Sequence, residues 1–278
     1  MRFCLLWILT VCGGFASDLL LGPEELQKQL RDPKIVLLHV GTNEDYDRGH
    51  IPGARLVVLT DLAPAISGLR LQLLAAGELR EKLMALGVDN ESRVVIYAGN
   101  DSVQSATRLW FSFEYLSRPA RLLNGGLTGW KKRGYVLTGE KTSFSAARNL
   151  TVKARPELLA DAMWIESHRQ QEGVAIVDAR LPEFYSGTNA GNMPRAGRIP
   201  GARNVPFPSL LTADKEFLPV AEIERLLPRQ EIAAYCHIGM QATVVFFSAR
   251  LAGRTVRLYD GSFEEWSKRT EFPVEVNQ

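Results

Sequence analysis

The strongest constraint on this chain is that it is written twice. Ile51-Pro52-Gly53-Ala54-Arg55 returns as Ile199-Pro200-Gly201-Ala202-Arg203, and the apolar run 94–97 returns as 232–235. Leu123-Asn124-Gly125-Gly126, closed by Trp130, returns as Tyr259-Asp260-Gly261-Ser262, closed by Trp266. A shared spacing of about 140 residues is too long for a solenoid unit and marks a duplicated domain. The halves run over 20–138 and 156–276, joined by a linker over 139–155 that is rich in Ser, Ala, Thr and Lys. A length of 278 residues suits two ordinary domains.

Within each half, short apolar runs alternate with helical stretches. In the second half the pattern predicts helices over 162–171, 222–227, 242–251 and 263–268, and strands over 175–179, 232–235 and 256–259. Such alternation predicts an α/β fold: two tandem domains, each a mainly parallel sheet with helices on both faces. In sheets of this kind the reactive site lies beyond the carboxyl ends of the strands.

The first residues read differently. Met1-Arg2 is a short positive start, 3–11 is an apolar run, and Gly13-Gly14-Phe15-Ala16-Ser17 supplies small residues. This predicts a secretory signal over 1–17, too short for a permanent anchor, and a periplasmic or secreted mature protein without stable membrane insertion. Cys12 raises lipid attachment, but Val11 stands where a small residue is wanted. With Cys4 and Cys12 inside the signal, the mature chain keeps one thiol, Cys236. A lone cysteine in an exported protein has no internal disulfide partner and is a candidate reactive group, although inert buried cysteines are also common.

The surroundings of Cys236 decide between these. An apolar strand ends at Tyr235, a strongly apolar helix begins at Ala242, and Cys236-His237-Ile238-Gly239-Met240-Gln241 fills the junction. The amides of such a loop and the positive end of the next helix favour an anion on sulfur, lowering the thiol pKa, and Gly239 permits a close turn. The same cradle suits a terminal persulfide.

These motifs resemble those of the tandem-domain rhodanese family, the thiosulfate and 3-mercaptopyruvate sulfurtransferases. Tyr46 followed by His50-Ile51-Pro52-Gly53-Ala54 resembles the family's N-terminal signature. Val256 followed by Tyr259-Asp260-Gly261-Ser262-Phe263 and Glu265-Trp266 resembles its C-terminal one. The resemblance implies sulfur transfer in two half-reactions. Cys236 takes sulfur from a small anionic donor as a persulfide, and a thiol, cyanide or protein-cysteine acceptor removes it, with no cofactor and no metal. It implies substrate contacts from Arg180, whose planar fork suits an anion, and from His237, Ile238, Gly239, Met240 and Gln241. His237 supplies positive charge if protonated. Asp178 is expected to organise the loop by hydrogen bonds.

The first half has Ala98 where the second has Cys236, and Gly41 near the place of Arg180, so it is expected to be inert, with its 98–104 loop or Trp110 at the cleft entrance. The active loop also departs from the pattern. Thiosulfate members resemble Cys-Arg-Lys-Gly-Val-Thr and mercaptopyruvate members resemble Cys-Gly-Ser-Gly-Val-Thr, and only Cys and Gly are shared here. Thiosulfate is the favoured donor because Arg180 is retained.

Rival readings are weaker. A phosphatase loop needs an Arg six positions after the Cys, where this chain has Ala242. A relay that passes persulfide sulfur between protein partners without turnover stays open. A net charge of +2 without a basic run gives no case for nucleic acid. His39, His50, His168 and His237 form no metal-ligand spacing.

Overall fold

The computed structural model describes residues 19–277; the leader expected over 1–17, with Cys4 and Cys12, lies outside them. The first half holds strands β1 (Leu20–Leu21), β2 (Ile35–Val40), β3 (Arg55–Val57), β4 (Arg93–Ala98) and β5 (Ala120–Leu123). The second holds β6 (Leu159–Ala160), β7 (Val174–Asp178), β8 (Arg203–Asn204), β9 (Glu231–Tyr235) and β10 (Val256–Tyr259). Their spatial orders, β1-β5-β4-β2-β3 and β6-β10-β9-β7-β8, are the same order written twice, and the pairings are parallel. The central strands read as continuous apolar runs because both faces are covered, and Ile232, Ala233, Ala234 and Tyr235 are fully buried.

Each half is pinned by the same contacts. Ile51-Pro52-Gly53-Ala54 and Ile199-Pro200-Gly201-Ala202 are tight turns closed by Ala54 N–H to Ile51 O (3.0 Å) and Ala202 N–H to Ile199 O (3.1 Å). Proline second and glycine third, at φ 82° and 81°, is the chemistry of a type II turn. Tyr46 donates to Ala54 O (2.6 Å), as Tyr185 does to Ala202 O (2.7 Å). Trp130 donates to Val136 O and Trp266 to Pro273 O. The repeated signatures are therefore turn and packing chemistry.

The expected second-half elements form, with shifted ends. The helix expected over 162–171 is Ala162–His168, because a turn from His168 to Gln171 stops it. The helix expected over 222–227 is Val220–Leu226, started by Pro219 at its N-cap. Residues 139–155 carry neither helix nor strand.

One shared core holds the halves together. Helix Val103–Tyr115 follows β4, helix Ala242–Leu251 follows β9, and the pair pack face to face. Trp110 meets Phe247 edge-on at 4.7 Å, Phe111 meets Phe246 at 4.9 Å, and the Thr107 and Thr243 hydroxyls lie 2.7 Å apart. Trp110, 2% exposed, is thus an anchor between the domains and does not line the cleft entrance.

Candidate active site

β9 lies between β10 and β7, so its carboxyl end opens where successive connections leave in opposite directions. Cys236 is the first residue beyond it. The cysteine is locked at its backbone: its N–H donates to Ser262 Oγ (3.1 Å) and its carbonyl accepts from Phe263 N–H (2.9 Å). The backbone amides of Ala242, Ile238 and Gln241 face its sulfur and favour its anionic form. Its side chain is completely buried. Burial pushes the thiol pKa up, and the amides pull against it without cancelling it. The depressed pKa expected from loop and helix end is therefore not a property of the closed site, where removal of sulfur from water outweighs its donors.

Gly239 makes the loop possible. It sits at φ 79°, and a Cβ there would come within 2.8 Å of the Asp260 carbonyl and 3.0 Å of its carboxylate. Gly239→Ala combines backbone strain with this clash and is expected to lower sulfur transfer by about tenfold or more. A variant retaining the wild-type rate in a steady-state assay would show that the left-handed turn is dispensable.

Arg180 stands elsewhere than the sequence suggests. It is 1% exposed, and its fork closes on Asp178, with Nε 2.9 Å from Oδ1 and Nη2 2.6 Å from Oδ2. Nη2 also donates to the Gly197 carbonyl, and the guanidinium lies 4.2 Å above the Phe263 ring. Burial works against its charge, yet Asp178 more than restores it, so its pKa is raised. The expectation that Arg180 offers an open fork to a donor is corrected: its carboxylate partner is only two residues away. Asp178 also accepts from the Arg180 backbone N–H (2.9 Å), tying down the end of β7; its carboxylate bonds Arg180 and not the 236–241 loop.

The remaining loop residues differ in their surroundings. His237 packs edge-on against Phe184 at 4.6 Å, and its Nε2 lies beneath Gly191. Burial, then the Arg180 charge, lower its pKa to about 4. The expected part-positive His237 is thus neutral near pH 7. Ile238 and Gln241 serve the sulfur through their amides, their side chains half-buried. Met240 Sδ reaches Ser105 Oγ of the first half at 4.0 Å.

The cover over this loop comes from the first half and had no signal in the sequence. Leu73 N–H donates to Asp260 Oδ2 (2.8 Å), and Arg70 grips Glu264 through its backbone N–H (2.9 Å) and Nε (3.0 Å). Lys268 holds the Gly68 carbonyl (2.8 Å). Arg108, itself buried, places Nη1 2.6 Å from Asp260 Oδ1 and donates through Nη2 to Leu71 O. The arrangement is pseudo-symmetric: Asn124, the counterpart of Asp260, accepts from Phe217 of the second half at 2.9 Å.

The equivalent position in the first half, expected to be inert, is filled as well as unarmed. Sheet register pairs His39 with Tyr97 and Val40 with Ala98, as Asp178 pairs with Tyr235. His39 Nδ1 lies 3.0 Å from Tyr97 Oη, and its ring occupies the space beside Gly41 and Gly99, where a Cβ would lie 2.8 and 2.0 Å from Nε2. Burial is the main force lowering its pKa to about 4. Because the folded pKa is below the ordinary 6.5, protons favour the unfolded chain, and stability falls as pH drops from about 6.5 toward 4. His39 alone is expected to cost about 2 kcal/mol between pH 7 and 5. Urea midpoints of wild type and His39→Gln across that range check this; identical slopes would contradict it.

Comparison with known proteins gives the family. The family model described as Rhodanese-like domain matches twice, over residues 22–133 and 161–269. A Pseudomonas aeruginosa protein named a probable 3-mercaptopyruvate sulfurtransferase is 33% identical, covering 93% of this chain and 98% of its own. A Thermus thermophilus protein named a sulfur carrier protein is 30% identical, covering 94% and 98%. Among solved structures, an anaerobic ergothioneine biosynthesis enzyme from Chlorobium limicola superposes with TM-score 0.85 at 24% identity, covering 94% of this chain and 71% of that one, a likeness of fold. With both halves matched and one full-length relative a third identical, the chain belongs to the rhodanese-like family, as a tandem pair of its domains.

Proposed function

We propose that this protein is a sulfurtransferase that carries sulfane sulfur on Cys236 as a persulfide. The observation that carries the reading is a cysteine beyond the central strand with three backbone amides on its sulfur. Amide donors in a site shielded from water stabilise negative charge on sulfur, in the thiolate that attacks and in the persulfide that holds the cargo. The relatives' names, among them a Gallus gallus thiosulfate sulfurtransferase 28% identical, support a reading in which the sulfur comes from a small donor such as thiosulfate or 3-mercaptopyruvate. The acceptor is a thiol, cyanide or a protein cysteine. The case for thiosulfate over 3-mercaptopyruvate rested on an open Arg180, and its pairing with Asp178 removes that support. The first half acts as cover and scaffold. The sequence of the leader supports export to a periplasm or the medium.

A second reading is favoured by full burial of Cys236 and by the relative named a sulfur carrier protein: a relay loaded by a protein partner that opens the cover. The test is thiocyanate formation from cyanide with a panel of small donors, on wild type and Cys236→Ala. Thiocyanate that disappears in the variant supports turnover. Its absence with every donor, while Cys236 still alkylates, supports the relay.

A further inference from the structure

The charges around Cys236 close on one another. Among the described residues, three guanidiniums are set beside its loop, and each is matched by a carboxylate: Arg180 by Asp178, Arg108 by Asp260 and Arg70 by Glu264, the last shared with the partly exposed Lys268 at 3.5 Å. The pairs lie on different sides, at the end of β7, beneath Gly239 and in the cover. The loop's own imidazole, His237, is neutral near pH 7. Around it stand the half-buried apolar side chains of Phe184, Ile238 and Met240. Bringing a dianion into such a site means desolvating its charge without a free cation to answer it, or pulling a buried arginine from its carboxylate.

We propose that the preferred sulfur donor is an uncharged hydropersulfide, R–S–SH with an apolar R group. This rests on Cys236 being the sulfur-carrying residue. The Cys236 thiolate attacks the outer sulfur of R–S–SH, the donor S–S bond breaks, and RS⁻ departs. The proton lost by the Cys236 thiol ends on that leaving thiolate, so Cys–SH and R–SSH become Cys–SSH and R–SH. No oxidant is needed, and the buried site gains no net charge. Three amides are sufficient for the single charge that develops on sulfur, and the apolar side chains receive R. With thiosulfate the same exchange starts and ends with two negative charges in the site.

The experiment compares benzyl hydropersulfide, generated in situ, with thiosulfate in single-turnover loading of the full chain, reading the mass gain of one sulfur atom on Cys236. Cys236→Ser reports adventitious loading of other groups. Ile238→Lys keeps the amide on sulfur and adds an unpaired cation. In wild type, benzyl hydropersulfide is expected to load Cys236 at least about tenfold faster than thiosulfate, and Ile238→Lys is expected to raise thiosulfate loading by about tenfold. Thiosulfate loading wild type as fast as the hydropersulfide would overturn this donor assignment and leave the role of Cys236 intact. Failure of both donors to place sulfur on a Cys236 that still alkylates would overturn the donor assignment and leave loading by a protein partner as the reading of Cys236.

Discussion

Replacing Cys236 with serine is expected to lower sulfur transfer by at least about a thousandfold while the fold stands. Serine is close to the same size, so the buried position is not emptied. The bonds that lock the position, from its N–H to Ser262 Oγ and from Phe263 N–H to its carbonyl, belong to the backbone and survive. The nucleophile does not, because a hydroxyl is a far weaker acid and neither attacks sulfane sulfur nor carries it. Initial rates of thiocyanate formation, with a thermal melt to verify folding, check the expectation. A folded variant retaining a tenth of the rate would remove Cys236 from the chemistry.

Trp110→Ala is expected to cost about 3–5 kcal/mol of stability, a large share of what holds a protein of this kind together. The indole is fully enclosed between the domains, edge-on to Phe247 and 6.4 Å from Phe246, and its Nε1–H donates to the Ala120 carbonyl at 2.9 Å. Truncation opens a cavity and strips that carbonyl of its donor. The site should also suffer, because the same helix carries Thr107 against Thr243, Ser105 against Met240, and Arg108 beneath the Gly239 loop. Chemical denaturation followed by tryptophan fluorescence gives the loss directly. A change below about 1 kcal/mol would mean that the shared core contributes little to holding the halves together.

These expectations draw on different layers of information. The duplication was legible because its markers are local: an Ile-Pro-Gly-Ala turn needs the same residues wherever it occurs, and the tryptophans close equivalent loops in both halves. The parallel sheets were legible from continuous apolar runs, and Cys236 from its place between a buried strand and an apolar helix. Partners fixed by three-dimensional context were not legible. Arg180 looked free because nothing in Asp178-Ala179-Arg180 says that the backbone beyond β7 folds the guanidinium back onto the carboxylate. Arg70 and Arg108 sit in the first half, 194 residues from Glu264 in the case of Arg70, and no pattern ties them to the loop they cover. His237 was read as a possible cation because its burial depends on Phe184 and Gly191, which the sequence around the loop does not bring to it. His39, filling the first half's equivalent of the Cys236 site, was noticed only as a poor metal ligand.

The thiol shows the same limit. Amides and a helix end were readable from strand-loop-helix order, and both lower a cysteine pKa. The extent of burial was not readable, and it reverses the net direction. A buried thiol under a segment held by Arg70 and Glu264 is shielded from the solvent.

The most direct test is to locate the transferred sulfur. Wild-type protein is incubated with a sulfane-sulfur donor, freed of excess donor and digested under acidic conditions, and the peptide containing Cys236 is weighed before and after cyanide. One added sulfur atom on Cys236, lost on cyanide treatment with an equal amount of thiocyanate released, is the predicted result. Thiocyanate produced through turnover cycles in which Cys236 never gains sulfur would contradict it.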